Sequence, residues 1–133
     1  MYATISQQTS SGGTSVVKGV FRSTDGVKWT NISPSFLPAV FGRVAIGISP
    51  SKQNEVFFVA NTQGTGFRQV DFRGREDWNS LWKYTYVTGD GSGAGGTWSD
   101  LSVNLPRCGG IFGDFQSQGS YDLYIRVNPT KPN

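Results

Sequence analysis

The chain has 133 residues, 36% of them apolar and 14% aromatic; that suits the core of one small domain, is too apolar for a disordered chain, and is too short for two domains. The absence of His and the single Cys, Cys108, exclude Ser-His-Asp and Cys-His catalysis, imidazole-ligated zinc, Cys-cluster metal sites and an internal disulfide. The net charge of +3, from 12 Lys or Arg and 9 Asp or Glu, is scattered singly and forms no basic stripe, so nucleic acid is not an expected partner.

No stretch of a dozen residues holds apolar positions at helical spacing. Short β-branched or aromatic runs bounded by Gly, Pro, Ser and Asn recur instead, which reads as an all-β chain. In chain order the expected strands are Tyr2 to Ser6, Val17 to Arg22, Trp29 to Ile32, Val44 to Ser49, Glu55 to Ala60, Leu81 to Val87, Trp98 to Val103 and Tyr121 to Val127. Val44-Ala45-Ile46-Gly47-Ile48 and Leu123-Tyr124-Ile125-Arg126-Val127 alternate with period two, the pattern of strands with unlike faces. Val56-Phe57-Phe58-Val59-Ala60 is apolar throughout and is expected inside, covered on both sides. Trp82, Tyr84 and Tyr86 alternate, so one face of that strand is expected to be aromatic. There is no apolar run of membrane-spanning length, and Met1 to Ser6 lacks the charged and apolar regions of a signal peptide.

Two phrases occur twice. Ile48-Ser49-Pro50-Ser51-Lys52-Gln53-Asn54 matches Val127-Asn128-Pro129-Thr130-Lys131-Pro132-Asn133, 79 residues later. Ser23-Thr24-Asp25-Gly26-Val27-Lys28-Trp29 matches Thr88-Gly89-Asp90-Gly91, which resumes after a Gly-rich insertion as Gly95-Gly96-Thr97-Trp98. A hydroxyl and an Asp can accept from turn amides, a Gly supplies positive φ, and the Trp opens the outgoing strand, so each copy is expected to close a hairpin with buried aromatic area. A repeating unit of four strands follows.

The hydroxyl-Asp-Gly-Trp phrases resemble the Asp-box, or bacterial neuraminidase repeat, of β-propellers, which joins the third and fourth strands of a blade. The passage from Arg43 to Phe57 is similar to the first-to-second strand passage of sortilin-like propellers. The resemblance implies a partial β-propeller of about two four-stranded antiparallel blades, eight short strands in all. Residues 1–33 would be the end of one blade, 43–103 a complete blade and 121–133 the first strand of the next. It also implies a fragment of a secreted bacterial surface protein, with Ser23, Asp25, Gly26, Trp29, Thr88, Asp90, Gly96 and Trp98 as structural Asp-box residues. The open edges of such a fragment are expected to meet the remaining blades or to self-associate.

In propellers the inter-blade loops and the second-to-third-strand loops build the ligand face. Here these are the loops expected from Asn104 to Ser120 and from Thr62 to Ser80. Their candidate ligand-binding residues are Arg73, Asp77, Trp78, Arg107 and Asp114, an Asp-Arg-Trp set suited to glycan hydroxyls and equally to peptides. Cys108 is expected to be an unreactive thiol, and the Gly-rich run after Asp90 a flexible hairpin tip without Lys or bidentate Glu. Neither a metal nor a cofactor is expected. The resemblance implies a non-catalytic segment of an extracellular or cell-surface protein that binds glycan or protein. Two alternatives stand beside it: a piece of an Asp-box glycoside hydrolase of sialidase or xyloglucanase type, with Asp71, Asp77 and Asp114 as its candidate carboxylates, and a purely structural repeat.

Overall fold

Val56, Phe58, Val59 and Ala60 are buried and Phe57 is half-buried, so neither face of their run reaches open solvent, and the rest of the chain is layered around it. The computed structural model describes residues 1–6, 17–70, 73–107, 115–118 and 121–131. Its strands are β1 Tyr2–Ile5, β2 Gly19–Arg22, β3 Thr30–Asn31, β4 Val44–Ile48, β5 Glu55–Asn61, β6 Phe67–Val70, β7 Glu76–Tyr86 and β8 Gly96–Asp100. Single 3-10 turns cover Gly93–Gly95 and Ser102–Asn104. The chain is all-β, as its periodicity predicts.

Two antiparallel sheets result. The smaller has the order β1-β2-β3. In the larger, β4 pairs β5 and β5 pairs one edge of β7 along Asn79 to Thr85. The other edge of β7 carries β6 along Glu76 to Asn79 and β8 along Trp82 to Tyr86. Period two then sorts the side chains of the larger sheet onto two faces.

On one face Val56, Phe58, Ala60, Trp82 and Tyr84 pack against Val20 and Ile32 of the smaller sheet, with Tyr2, Ile46 and Trp98 at the margin. Tyr2 meets Phe58 and Tyr84 edge to face, 6.4 Å and 6.0 Å between ring centres, and Trp98 packs tilted 5.0 Å from Tyr84. Burying each of these large side chains contributes roughly 1.5–3 kcal/mol. Tyr84 fixes its end of the sheet by donating from its hydroxyl to Gly91 O at 2.7 Å. Gly96 lies directly over the Tyr84 ring, where a Cβ would come within 2.4–2.5 Å of ring atoms. The second face packs Val59, Phe67 and Leu105 with Ala45, Leu81, Phe115, Leu123 and Ile125. The larger sheet is therefore the middle of three layers.

Four sequence expectations change. The stretch from Thr62 to Ser80 is not a loop: β6 and the first half of β7 form a hairpin within it. The strand expected to begin at Leu81 begins at Glu76. Tyr121 to Val127 joins no ladder among the described residues; its alternating Leu123 and Ile125 instead press onto the second face, with Ile125 against Gly47, and Val127 is buried. Its pattern encodes burial of one face, and burial alone does not supply a pairing partner. Trp29 does not close its hairpin with buried area: it is 42% exposed and donates from Nε1 to Gly26 O at 3.2 Å.

Candidate functional site

The two Asp turns hold themselves. Ser23 Oγ accepts from Gly26 N at 2.8 Å and donates to Asp25 Oδ1 at 3.0 Å, while Asp25 Oδ1 also accepts from Val27 N at 2.8 Å and Lys28 N at 2.9 Å. The amide of Lys28, then that of Val27 and the Ser23 hydroxyl, hold the Asp25 carboxyl below the usual carboxylate range. Asp90 Oδ1 accepts from Ser92 N at 2.9 Å and from Ser92 Oγ at 2.7 Å, and the first of these lowers its pKa in the same way. Both carboxylates do turn work, between β2 and β3 and between β7 and β8. Thr88 accepts from Gly91 N through its carbonyl, and Trp98 reaches across the layer boundary to donate to Ile32 O at 2.7 Å.

The five nominated ligand residues separate. Asp77 and Trp78 are neighbours on a strand and so face opposite ways. Asp77 is 8% exposed and clamps Ser117, accepting from its N at 2.5 Å and its Oγ at 2.9 Å, and from Asn61 Nδ2 at 2.9 Å. This ties β7 to the segment at 115–118. The same face holds Asn79, fully buried with both amide atoms unpaired, and Gln69, whose Nε2 is also unpaired. Trp78 donates from Nε1 to Glu76 Oε2 at 2.9 Å, and Glu76 pairs with Arg68 at 2.6 Å. Arg68 first and Trp78 second lower the Glu76 pKa, and Glu76 raises that of Arg68. The group lies in solvent, where such a pair is worth little. Arg73 is exposed in the β6–β7 connection. Asp114, with Asp71 and Cys108, lies outside the described residues.

Arg107 lines a cleft. Gly66, Phe67, Asp100, Ser102, Val103 and Arg107 enclose about 410 Å³. The Arg107 guanidinium carbon lies 4.2 Å from the centre of the Phe67 ring, a cation–π contact that holds the cation beside the cleft. Asp100 Oδ1 accepts from Ser102 N at 2.9 Å and from Ser102 Oγ at 2.5 Å, while Ser102 Oγ accepts from Leu81 N at 3.1 Å. The carboxylate is thus held by the turn after β8, and that turn by β7. Gly66 is required on the far wall: its φ is +84°, and a Cβ would lie 2.3 Å from Ser80 Oγ and 2.5 Å from Asn79 O. Thr62 sets the turn before it, through Thr65 O at 2.8 Å and Ser80 Oγ at 2.7 Å.

Sequence reasoning placed Arg107 in a ligand loop but missed Phe67, Asp100 and Ser102. The missed signal is Asp100-Leu101-Ser102, an Asp two residues ahead of a Ser, the spacing of an Asx turn. A second cleft of about 300 Å³ lies between Asn31 to Ser35 and the β7–β8 hairpin, walled by Gly91, Gly93, Gly96 and Trp98. Among the described residues no group of three or more Cys, Asp or Glu could hold a metal ion, and no helix is long and apolar enough to cross a membrane. Compared with known proteins, the chain matches no family model, no curated protein and no solved structure.

Proposed function

We propose that this chain is a non-catalytic β-propeller segment of a secreted or cell-surface protein, and that it binds glycan or peptide in the cleft beside Arg107. In this reading β4-β5-β7-β8 is one four-stranded blade with β6 inserted at its side. The smaller sheet supplies the second to fourth strands of the preceding blade, and residues 121–131 open the following one. Three stacked layers, with Asp turns at corresponding hairpins, support it.

The observation that carries the ligand site is the contact of Arg107 with the Phe67 ring in a cleft also lined by a positioned Asp100. A guanidinium held on an aromatic ring and an anchored carboxylate line the same cleft, a combination that suits a ligand rich in both hydroxyl or amide donors and acceptors. Glycoside hydrolysis asks for two carboxylates about 5–9.5 Å apart. Asp100 is the one carboxylate among the cleft's described lining residues, and Asp77 is committed to Ser117. That favours binding over the hydrolase alternative.

The test is retention of the 133-residue chain on glycan and peptide arrays, comparing wild type with Arg107→Ala. Loss of a charge-assisted bond worth about 1.5–3 kcal/mol predicts at least a tenfold weaker signal. Retention of neither ligand class, or binding indifferent to both Arg107→Ala and Asp100→Ala, would count against the site and leave the purely structural repeat.

A further inference from the structure

We infer that the ligand is an extended peptide, added as a strand along the outer edge that β8 and β6 present together, with an acidic side chain set beside Arg107. The inference rests on the cleft reading above and narrows it from glycan or peptide to peptide. The edge belongs to strands in the interior of the sequence, and in the blade reading it points away from the faces on which neighbouring blades stack.

β8 and β6 lie along the same edge of β7. β8 pairs Trp82 to Tyr86 and β6 pairs Glu76 to Asn79, both antiparallel, so the two strands run in one direction, end to end, with Ser80 and Leu81 behind the gap between them. At that gap the chain leaves the sheet onto opposite faces. After Asp100 it turns through Ser102–Asn104 to Leu105, which is buried on the second face. Ahead of β6 it comes from Thr62, whose Oγ1 lies 2.7 Å from Ser80 Oγ on the face that carries Trp82. The cleft lined by Gly66, Phe67, Asp100 and Ser102 is what stays open between the two departures, in line with the edge.

The ladder fixes which peptide groups are open. Thr62 N donates to Trp78 O and Tyr86 N to Asn54 O, so the even-numbered residues of β7 bond β5. Val87 N donates to Gly95 O and Leu101 N to Leu81 O, so the odd-numbered ones bond β8 and β6. Phe67, Gln69, Thr97 and Ser99 are therefore engaged with β7, and the peptide groups of Arg68, Val70, Trp98 and Asp100 turn to the outer edge, where they meet no strand among the described residues. Both strands keep one two-residue phase across the gap, so a single extended peptide can bond them together, from opposite Val70 to opposite Trp98. Exposed edges are commonly guarded by Pro or Lys. β6 and β8 contain neither, and their one cation, Arg68, is paired with Glu76.

Charge sets what the peptide carries. Among the described residues the Arg107 guanidinium meets the Phe67 ring and no acceptor. Phe67 stands on the second face, so a peptide residue opposite it turns its side chain the same way, and a carboxylate there gives Arg107 a charge-assisted partner. Asp100 stands on the other face, opposite Trp82; Ser102 takes its Oδ1, and Oδ2 is open to a donor. The β7 residues behind Phe67 and Asp100 are Asn79 and Trp82, three apart. In a peptide antiparallel to β6 and β8, the residue facing Asp100 therefore comes three places after the one facing Phe67, on the opposite face. The motif expected is Asp or Glu, two residues of any kind, then Lys, Ser or Thr. A glycan has no main chain to pair with the edge.

The experiment measures retention of the 133-residue chain on an array of random peptides of about ten residues, long enough at roughly 3.4 Å per residue to cover both strands. The peptides retained are then N-methylated one residue at a time. They are expected to share the motif, and moving the acid by one place, which turns it to the other face, should weaken binding. Methylation opposite Val70, Arg68, Asp100 or Trp98 should weaken it by about tenfold, and methylation opposite Gln69, Phe67 or Ser99 should not. Val70→Pro removes an edge donor without touching the β7 ladder and should weaken it by about threefold or more; if that variant unfolds, the methylation pattern on the wild type decides. Retention of no peptide, retention of glycans alone, or peptide binding without the two-residue pattern overturns the inference. Unpatterned binding that is lost in Arg107→Ala removes the added strand and leaves the cleft reading standing. Patterned binding indifferent to Arg107→Ala and Asp100→Ala upholds the added strand and removes the cleft.

Discussion

Replacing Asp77 with Ala tests whether the polar interior of β7 holds the layers together. The carboxylate accepts from Ser117 N at 2.5 Å, Ser117 Oγ at 2.9 Å and Asn61 Nδ2 at 2.9 Å, at 8% exposure. Asn61 Nδ2 keeps Trp78 O and Ser117 Oγ as acceptors, so its loss is partial. Ser117 N loses its anion inside the protein. Hydrogen bonds to a charged group contribute about 1.5–3 kcal/mol each, and an orphaned buried donor costs about 1–3 kcal/mol, so Asp77→Ala should destabilise by about 3–5 kcal/mol. A small domain has only about 5–15 kcal/mol in total. In urea, where slopes run about 1–3 kcal/mol per molar, the midpoint should fall by roughly 2 M. Ser117→Ala, which keeps the backbone donor in place, should cost only about 1 kcal/mol. A loss under about 1 kcal/mol for Asp77→Ala would refute the clamp and return Asp77 to the ligand-binding candidates.

Two further predictions probe the aromatic layer. Gly96→Ala should cost about 1–3 kcal/mol because its Cβ meets the immobile Tyr84 ring, whereas Gly47→Ala, 3.2–3.4 Å from Ile125, should cost under about 1 kcal/mol; equal urea midpoints for the pair would refute the packing. Burial pushes the Tyr84 phenol up from 10.0 to about 12. Since the unfolded phenol ionises first, this contribution is intact below pH 10 and falls away between pH 10 and about pH 12. Tyr84→Phe should flatten that part of the stability profile, and parallel curves for the two proteins would contradict it.

Where apolar alternation drives burial, the strands were legible. β1, β2, β4 and β5 fall within a residue or two of their expected ends, and the fully apolar run became the central strand. β6 escaped because its inward residues are Phe67 and Gln69 and its outward ones Arg68 and Val70, so hydropathy shows no period although burial does. The first half of β7 escaped for a related reason: Asp77, Asn79 and Ser80 are buried among tertiary partners up to 40 residues away, and no local window registers that. Arg107 was legible as a loop cation. Its perch on Phe67 was not, since the ring belongs to a strand 40 residues earlier that read as loop.

Trp29 and Trp98 show how one motif takes two fates. Their local chemistry is alike: each follows an Asp turn and opens the outgoing side of a hairpin. Trp98 faces the smaller sheet and finds Ile32 O there, whereas Trp29 looks out from the smaller sheet's other side and bonds its own turn at Gly26 O. What differs is the layer beyond each ring, which the hairpin sequence does not encode. The same logic separates β4 from residues 121–127, equal in pattern and unequal in partners. A repeat sequence specifies the surfaces of a layer, and only the neighbouring layer decides whether those surfaces become core.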